Sequence, residues 1–343
     1  MIPLRQPTMR RSEEPEVGTL EPMPPEIALA AEGVEVQYRA RHGRGSVRAV
    51  DGVDLQVRRG ETVGIVGESG SGKSTLGRAL VGLERRQGGR IVVDGAEVPP
   101  DGALARAQRL DLQMIFQDPF SSLNPRRRLG DAVAQAVRAR DGDVPEGRVA
   151  ELLQQVGLDP HIAHRYPHEA SGGQLQRVVI ARVLATRPKL IVADEPVSAL
   201  DVSVQAQVLN LFADLCEELS LTTVFISHDL AVVRHIADRI AVMYLGRIVE
   251  TAPAEQLIAA PRHPYTEALL TAVPGAGRER ILLQGDPPDP SAPPSGCRFR
   301  TRCGRATELC AEQEPLLEAA EDGHAFACHH PVEAASPAVL AAP

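Results

Sequence analysis

A glycine-rich run from Gly67 to Thr75 has the residue types and the spacing of a phosphate site, because GESGSGKST fits G-x-x-x-x-G-K-[ST]. The glycines allow successive backbone N–H groups to point inward at phosphate oxygens. Lys73 would add a positive charge for the β- and γ-phosphates, and Ser74 a hydroxyl for Mg²⁺. A helix beginning near Gly72 would direct its positive end at the same anion. The run predicts a nucleotide site formed by Gly67, Ser69, Gly70, Ser71, Gly72, Lys73, Ser74 and Thr75.

An apolar strand further along the chain, Lys189-Leu-Ile-Val-Ala-Asp194-Glu195, ends in two acids. Asp194 is predicted to hold Mg²⁺ through its water shell, and Glu195 to orient or deprotonate the attacking water. Acids at a strand end are also common in plain solvated turns. A phosphate loop in the same sheet favours the catalytic interpretation, because phosphoryl transfer needs a metal ligand and a water-positioning group there.

Between these two sites lies Ala170-Ser-Gly-Gly-Gln174, which closely resembles the signature motif of ABC ATPases. Physically it is another helix start that exposes N–H groups and a hydroxyl to an anion. The resemblance implies contact with the γ-phosphate bound to the phosphate loop of a second subunit, through Ser171, Gly172, Gly173 and Gln174. The family's most common first residue is Leu, and Ala170 stands in its place.

Further elements of the ABC family follow in register. Gln117 resembles the Q-loop glutamine that links Mg²⁺ to the membrane-subunit contact, and His228 the switch histidine that contacts the γ-phosphate. Ser198 and Asp201 resemble the D-loop at the dimer interface. Tyr38 resembles the aromatic residue that stacks on adenine. The resemblance thus implies ATP hydrolysis with Glu195 and His228 as catalytic residues, and Mg²⁺ held through Ser74, Gln117 and Asp194.

Longer phrases, RYPHEASGGQLQR, HPYTEALLTAVP and PPSGCRFRTRC, resemble the ATPases of oligopeptide and dipeptide importers, more closely the F-type member. That resemblance implies ATP-driven dimerisation with a second, related ATPase, two transmembrane permease subunits and an external peptide-binding protein. Nickel importers share most of these phrases, so nickel or another small solute remains an alternative cargo. A non-catalytic regulatory subunit is disfavoured by the presence of Glu195 and His228.

The fold predicted is α/β, because short apolar runs alternate with amphipathic stretches. The resemblance implies a P-loop NTPase of the ABC type over residues 27–260, with a RecA-like core, an antiparallel β subdomain and an inserted helical subdomain at about 124–187. The predicted buried strands are ETVGIVG at 61–67, LDLQMIF at 110–116, LIVAD at 190–194 and TTVFIS at 222–227, and the predicted helices of the subdomain are Asp131–Arg140, Glu146–Val156 and Gly172–Ala185.

Both ends of the chain differ from this pattern. Residues 1–26 are rich in Pro and Glu and predict a disordered tail, and residues 333–343 predict a second tail. Residues 261–332, rich in Pro, Gly and Cys, predict a small C-terminal domain, which resembles that of the oligopeptide/dipeptide transporters. Its cysteines fit neither the short zinc knuckle nor ferredoxin spacing. The resemblance implies a [4Fe–4S] cluster, with zinc or unligated thiols as alternatives, at Cys297, Cys303, Cys310 and Cys328.

Composition excludes several classes of function. The net charge of -8 disfavours a protein that coats nucleic acid. No stretch approaches the roughly 18 consecutive apolar residues of a transmembrane helix, and the N-terminus lacks the apolar core of a secretory signal. The chain is therefore expected to be peripheral at the cytoplasmic face of the membrane, held there by partners. A soluble ABC ATPase acting on DNA or ribosomes would carry heptad insertions or a second phosphate loop, and neither occurs.

Overall fold

The computed structural model describes residues 24, 26–39, 46–272, 281–319 and 323–333. The predicted N-terminal tail lies almost entirely outside these residues, and so does the predicted tail at 333–343. The core is an eight-stranded mixed sheet in the order β11-β12-β10-β9-β3-β8-β7-β6. Its strands are β3 (Thr62–Val66), β6 (Leu112–Ile115), β7 (Leu190–Asp194), β8 (Thr223–Ser227), β9 (Arg239–Tyr244), β10 (Arg247–Pro253), β11 (Glu318–Ala319) and β12 (Ala325–Phe326).

Five neighbouring strands of this sheet, β6, β7, β8, β3 and β9, run parallel to one another. Every residue of β3, β7 and β8 is buried. Parallel strands buried on both faces are composed almost wholly of apolar residues, which explains why the sequence predicted all four of its strands in this sheet. Packing on β3 is tight enough to require a glycine, because a Cβ on Gly64 would lie 2.0 Å from Cγ1 of Val233. The α/β prediction is confirmed.

A second, four-stranded antiparallel sheet has the order β2-β1-β4-β5. Its apolar side chains and one face of the core sheet enclose a common interior, with helix α1 packed between them. The predicted antiparallel subdomain is therefore present. Its strands are β1 (Ile27–Arg39), β2 (Ser46–Arg58), β4 (Gly88–Val93) and β5 (Ala96–Glu97).

Eleven α-helices lie in the described residues, and three of them, α4, α5 and α6, correspond to the helices predicted for the subdomain. The predicted strand at 110–116 is shortened at its start, because Leu110 and Asp111 end helix α2. The helices are α1 (Lys73–Leu80), α2 (Arg106–Asp111), α3 (Pro119–Ser122), α4 (Leu129–Asp141), α5 (Arg148–Gln155), α6 (Gly172–Leu184), α7 (Val202–Glu218), α8 (Leu230–Ile236), α9 (Ala254–Ala259), α10 (Pro264–Thr271) and α11 (Glu308–Glu312).

Helices α3 to α6 form a lobe in which α6 contacts α3, α4 and α5, and α6 also packs on α7 of the core. The last part of the chain joins the core sheet, because β12 pairs with β10 through Glu250↔Phe326 and Thr251↔Ala325. Arg262 stacks over the Phe326 ring at 5.0 Å beside this pairing. Within the described residues, no helix combines the length and the apolar character needed to cross a membrane.

Candidate nucleotide site

The phosphate loop connects β3 to α1 and is pressed against its neighbours on two sides. A Cβ on Gly67 would lie 2.1 Å from the carbonyl oxygen of Met243 on β9. A Cβ on Gly72, whose φ is 104°, would lie 2.0 Å from the carbonyl oxygen of Ala49 on β2. A side chain at Gly67 would clash with the core sheet and one at Gly72 with β2, so glycine is required at both positions. The loop therefore depends on the close approach of β2 and β9.

Lys73 lies at the centre of this loop. Its Nζ donates to the carbonyl oxygens of Gly67 at 2.7 Å and of Glu68 at 2.9 Å. Burial lowers the pKa of Lys73, and the nearby carboxylates of Glu195 and Asp194 act in the opposite direction. An ammonium group held inside a curl of backbone is suited to bind phosphate oxygens.

The loop also holds an unpaired hydroxyl. Oγ of Ser71 is buried and makes no hydrogen bond within the described residues. A Cβ on Gly70 would meet no atom within 4 Å, and Ser69 and Gly70 are both exposed, so this side of the loop is open. The structure thus offers a buried donor beside an accessible curl, which suits a phosphate group.

Ser74 and Asp194 form a corner of oxygen atoms next to Lys73. Oγ of Ser74 donates to Oδ1 of Asp194 at 2.8 Å, and burial raises the pKa of this carboxyl. Gln117 follows β6 and is exposed. Because β6 and β7 are adjacent parallel strands, their carboxyl ends place Gln117 and Asp194 at one edge of the sheet. Hydroxyl, carboxylate and amide oxygens are the donors that Mg²⁺ prefers, so these residues fit the ion.

Glu195 and His228 follow β7 and β8, which are also adjacent parallel strands. Oε1 of Glu195 and Nδ1 of His228 are 3.2 Å apart, and more than half of the His228 side chain is exposed. Glu195 has a φ of 48°, in the left-handed region that a residue with a Cβ rarely adopts. Backbone strain of this kind is concentrated at functional sites. The two predicted catalytic side chains are thus brought together at the edge that carries Asp194.

Tyr38 lies near the end of β1 and is 38% exposed. Its hydroxyl interacts with the side chains of Thr75 and Glu84, and burial raises the pKa of the phenol. Thr75 belongs to the first turn of α1, two residues after Lys73. The aromatic side chain therefore lies beside the phosphate loop with part of its surface open, as an adenine-stacking residue requires.

The signature segment starts helix α6. The side-chain oxygen of Ser171 accepts from the Gln174 N–H at 3.3 Å, and Gln174 Oε1 accepts from the Ser171 N–H at 3.1 Å. This reciprocal pair is a capping box. A Cβ on Gly173 would lie 2.4 Å from Cγ1 of Val204 on α7, and one on Gly172 would lie 3.1 Å from the Leu200 side chain. The glycines therefore allow this helix start to lie directly on α7.

The D-loop connects the acidic strand to α7. Oγ of Ser198 donates to the Glu195 carbonyl oxygen at 3.0 Å, and Asp201 is the exposed residue that precedes α7. A hydrogen bond therefore ties this short segment to Glu195, and the signature glycines pack on the helix and segment that follow it.

The four C-terminal cysteines line one small cavity, together with His263, His329 and His330. Burial raises the pKa of the Cys297 and Cys303 thiols, and raises that of Cys328 to about 11. Within the described residues no group of three or more His, Cys, Asp or Glu is placed to hold a metal ion. The structure therefore gives the predicted iron–sulfur cluster no support.

Two residues that contact the phosphate loop were missed at the level of sequence. Tyr265 accepts a hydrogen bond from the Glu68 N–H at 2.8 Å, and Arg302 pairs with the Glu68 carboxylate. Both lie in phrases that resemble the importer family, yet neither phrase contains a motif that indicates a phosphate site. Both residues lie far from Glu68 in sequence, so no local pattern predicts their contact with it.

Comparison with known proteins agrees with this geometry. Residues 50–198 match the family model of the ABC transporter, and residues 249–310 match that of the oligopeptide/dipeptide transporter C-terminal region. A solved dimeric ATP-binding cassette in a post-hydrolysis state with ADP and Pi is 29% identical, with a TM-score of 0.59, over 66% of this chain and 98% of that one. The fold and the site define a P-loop ATPase of the ABC class.

Longer relatives narrow the assignment. The oligopeptide transport ATP-binding protein AppF of Bacillus subtilis is 50% identical over 83% of this chain and 90% of that protein. The di/tripeptide transport ATP-binding protein DppF of Pseudomonas aeruginosa is 48% identical over 86% and 94%. The chain belongs to the ATP-binding subunits of the oligopeptide and dipeptide ABC transporters. This membership implies ATP with Mg²⁺, permease partners and dimerisation.

The left-handed backbone at Glu195 predicts an unusual order of stability between two variants. We expect Glu195→Gly to be more stable than Glu195→Ala by about 1 kcal/mol, because Ala keeps the Cβ that opposes this φ. Both variants lose the same carboxylate, so the comparison isolates the backbone. Urea denaturation measures it. At the extended neighbour Ala193 we expect the reverse, with Ala193→Gly less stable than the parent; greater stability of Glu195→Ala would show that the backbone is unstrained.

Proposed function

We propose that this subunit hydrolyses ATP at the site formed by the phosphate loop, Asp194 and Glu195, and that hydrolysis drives uptake of peptides through a membrane permease. The observation that supports it most is the pairing of Glu195 with His228 at the edge of the sheet that carries the Ser74–Asp194 hydrogen bond. A carboxylate that can activate water and an imidazole that can contact a phosphate are the two groups that phosphoryl transfer to water requires at such a place.

Each residue has a separate task in this mechanism. Lys73 and the loop N–H groups bind the β- and γ-phosphates, and the Tyr38 ring stacks on adenine. Ser74, Asp194 and Gln117 would hold Mg²⁺, which would neutralise charge on the phosphates. Glu195 accepts a proton from the attacking water, and His228 orients the γ-phosphate while its ring contacts Glu195. The contact between these two side chains holds the base at the correct angle.

The second half of the site is supplied by another subunit. The helix start at Ser171–Gln174 leaves the N–H groups of Gly172 and Gly173 outside its capping box and exposes Ser171, and such a helix end attracts an anion. We propose that it caps the γ-phosphate bound to the partner's loop, in a heterodimer with a related ATPase. Ser198 and Asp201 would lie at that interface, and closure around two ATP molecules would be the step that moves the permease.

A groove on the helical lobe suits the permease contact. It measures about 390 Å³ and lies between the segment that follows β6 and helix α4. Arg127, Arg128 and Arg182 line it, and Nη1 of Arg182 also donates to the Ser122 carbonyl oxygen. Because this segment also carries Gln117, an occupant of the groove would be linked mechanically to the Mg²⁺ corner. A short permease helix that presents acidic side chains or its negative C-terminal end would complement the arginines.

The proposed organisation follows from these roles. Residues 27–260 act as the ATPase domain, with 124–187 as the permease-facing helical subdomain and 261–332 as the C-terminal domain. The subunit works at the cytoplasmic face of the membrane, and an external binding protein delivers the peptide to the complex. The proposed cargo is peptide, because the chain is similar to AppF and DppF. Comparing the uptake of labelled dipeptide with the uptake of Ni²⁺ by the reconstituted complex tests that choice.

The iron–sulfur cluster stays a prediction from the resemblance. Analysis of iron and acid-labile sulfide in protein purified without oxygen tests it. About four of each per chain would establish the cluster, and background levels would leave the cavity to protonated thiols.

Replacing the proposed base should separate ATP binding from hydrolysis. In the assembled transporter, we expect Glu195→Gln to lower the ATPase rate by about 10²- to 10⁴-fold, because the amide cannot take the proton from water. ATP affinity should be retained, and dipeptide uptake into vesicles should stop. Glu218→Gln, at the exposed end of α7, makes the same change away from the site and should leave both activities intact. Unchanged hydrolysis by Glu195→Gln would remove the basis of this mechanism.

Filling the groove should uncouple the subunit from its permease. Gln135 lines the groove on α4, and Gln135→Trp places an indole in its opening. We expect the variant to lose co-purification with the permease, with ATP affinity unchanged, because the groove and the phosphate loop are separate surfaces. Gln154→Trp, an exposed glutamine on α5, carries the same change on another face of the lobe. Equal loss of permease binding by both variants would contradict docking in the groove.

A further inference from the structure

One residue of the phosphate loop, Glu68, is held by the C-terminal part of the chain. Nη1 of Arg302 lies 2.7 Å from Oε2 of Glu68, and Nη2 lies 3.0 Å from Oε1. The Arg302 side chain is only 7% exposed, and its pairing with Glu68 raises its pKa above the usual arginine value. A two-pronged contact of this kind constrains both distance and angle, which a single ion pair does not.

A second contact holds the backbone of the same residue. The Glu68 N–H donates to the hydroxyl of Tyr265, a fully buried side chain at the start of α10. The Tyr265 ring packs on Tyr244 at 4.7 Å and on Phe299 at 5.3 Å. Phe299 is itself buried and lies between Cys297 and Cys303 in sequence. The anchor is thus rigid, because three aromatic rings fix the position of the hydroxyl.

The other end of the loop is supported indirectly by the same C-terminal segment. The Ser71 carbonyl oxygen accepts from the N–H of Gly246, in the turn between β9 and β10, at 2.8 Å. Arg298 donates to the carbonyl oxygen of Leu245 in that turn and pairs with buried Asp51. Arg298 and Arg302 therefore support the loop on two sides.

These contacts of Glu68 also affect the position of the Lys73 ammonium group. The Glu68 carbonyl oxygen accepts from Nζ of Lys73 at 2.9 Å, so the residue gripped by Arg302 and Tyr265 also positions Lys73. A displacement of Glu68 by even 1 Å would move the lysine relative to the phosphates. A misplacement of about 1 Å, even one caused far from the reacting atoms, can cost about 10²-fold in rate.

We propose that Arg302 and Tyr265 are positioning residues for ATP, and that through them the C-terminal segment 297–302 and the phosphate loop are energetically coupled. The coupling is reciprocal: the segment tightens ATP binding, and ATP binding tightens the segment. The proposal rests on the assignment of Lys73 to the ATP phosphates, and it adds a control element that the phosphate-loop motif alone does not contain.

Arg302→Ala tests the first half of this coupling. In the full-length chain we expect affinity for ATP·Mg²⁺, measured by titration with a fluorescent nucleotide, to fall by about fivefold to tenfold. Arg302→Lys should recover only part of the loss, because an ammonium group keeps the charge but not the fork. Arg300→Ala is the matched control, since Arg300 lies in the same turn and the hydrogen bonds of its side chain within the described residues go to Ser295. If Arg302→Ala lowers the melting temperature while the ATP affinity of the folded protein stays at the parent value, Arg302 is merely structural and the proposal fails.

Amide hydrogen exchange tests the second half. ATP·Mg²⁺ should slow exchange over residues 297–302 in the parent and in Arg300→Ala, and the effect should be absent in Arg302→Ala. Exchange unaffected by nucleotide in the parent would refute the coupling. Lys73→Ala distinguishes this failure from an incorrect ATP site: it should abolish nucleotide binding outright, and retained binding would instead overturn the assignment of the loop.

Discussion

The closeness of the phosphate loop to two different sheets is the constraint on which the rest of the structure depends. Gly67 lies against the Met243 carbonyl oxygen of the core sheet, and Gly72 against the Ala49 carbonyl oxygen of the antiparallel sheet. The curl of backbone N–H groups can form only where these sheets approach each other without intervening side chains. The position of Lys73, which is hydrogen-bonded inside the curl, depends on that packing.

The catalytic groups are arranged by a different principle, the shared edge of parallel strands. Gln117, Glu195 and His228 follow β6, β7 and β8, and Asp194 ends β7. Neighbouring parallel strands end on the same side of a sheet. Burial at this edge raises the pKa of Asp194 and lowers that of Lys73. The charged forms of both side chains are therefore poorly solvated by water. A metal ion beside Asp194 and phosphates beside Lys73 would stabilise those charges instead.

The C-terminal part of the chain is integrated into this machinery. Its strand β12 extends the core sheet, and the buried Glu250 carboxylate accepts from the N–H groups of Arg262 and His263. Glu250 also lies 2.7 Å from Nε2 of His324, so the junction between the two parts is a buried polar network. Networks of this kind are costly to break in part, which ties the C-terminal region to the ATPase core.

By itself the sequence determined the chemistry and the class of fold. Local patterns sufficed for the phosphate loop, the acidic strand and the capped start of α6, because each depends on residues within about ten positions of one another. The buried parallel strands could also be predicted, because they appear in the sequence as apolar runs. The strand at 110–116 was misjudged at its start, since Leu110 and Asp111 suit either element and only packing assigned them to α2.

Only the tertiary structure decided which distant residues meet. The contacts of Glu68 with Tyr265 and Arg302 join positions about 200 residues apart, and no local periodicity encodes such a pairing. The strained backbone of Glu195 and the raised pKa of the C-terminal thiols likewise follow from surrounding bulk and burial. Burial and long-range geometry are properties of the assembled chain, whereas motif chemistry is a property of neighbouring residues, which is why the sequence revealed one and not the other.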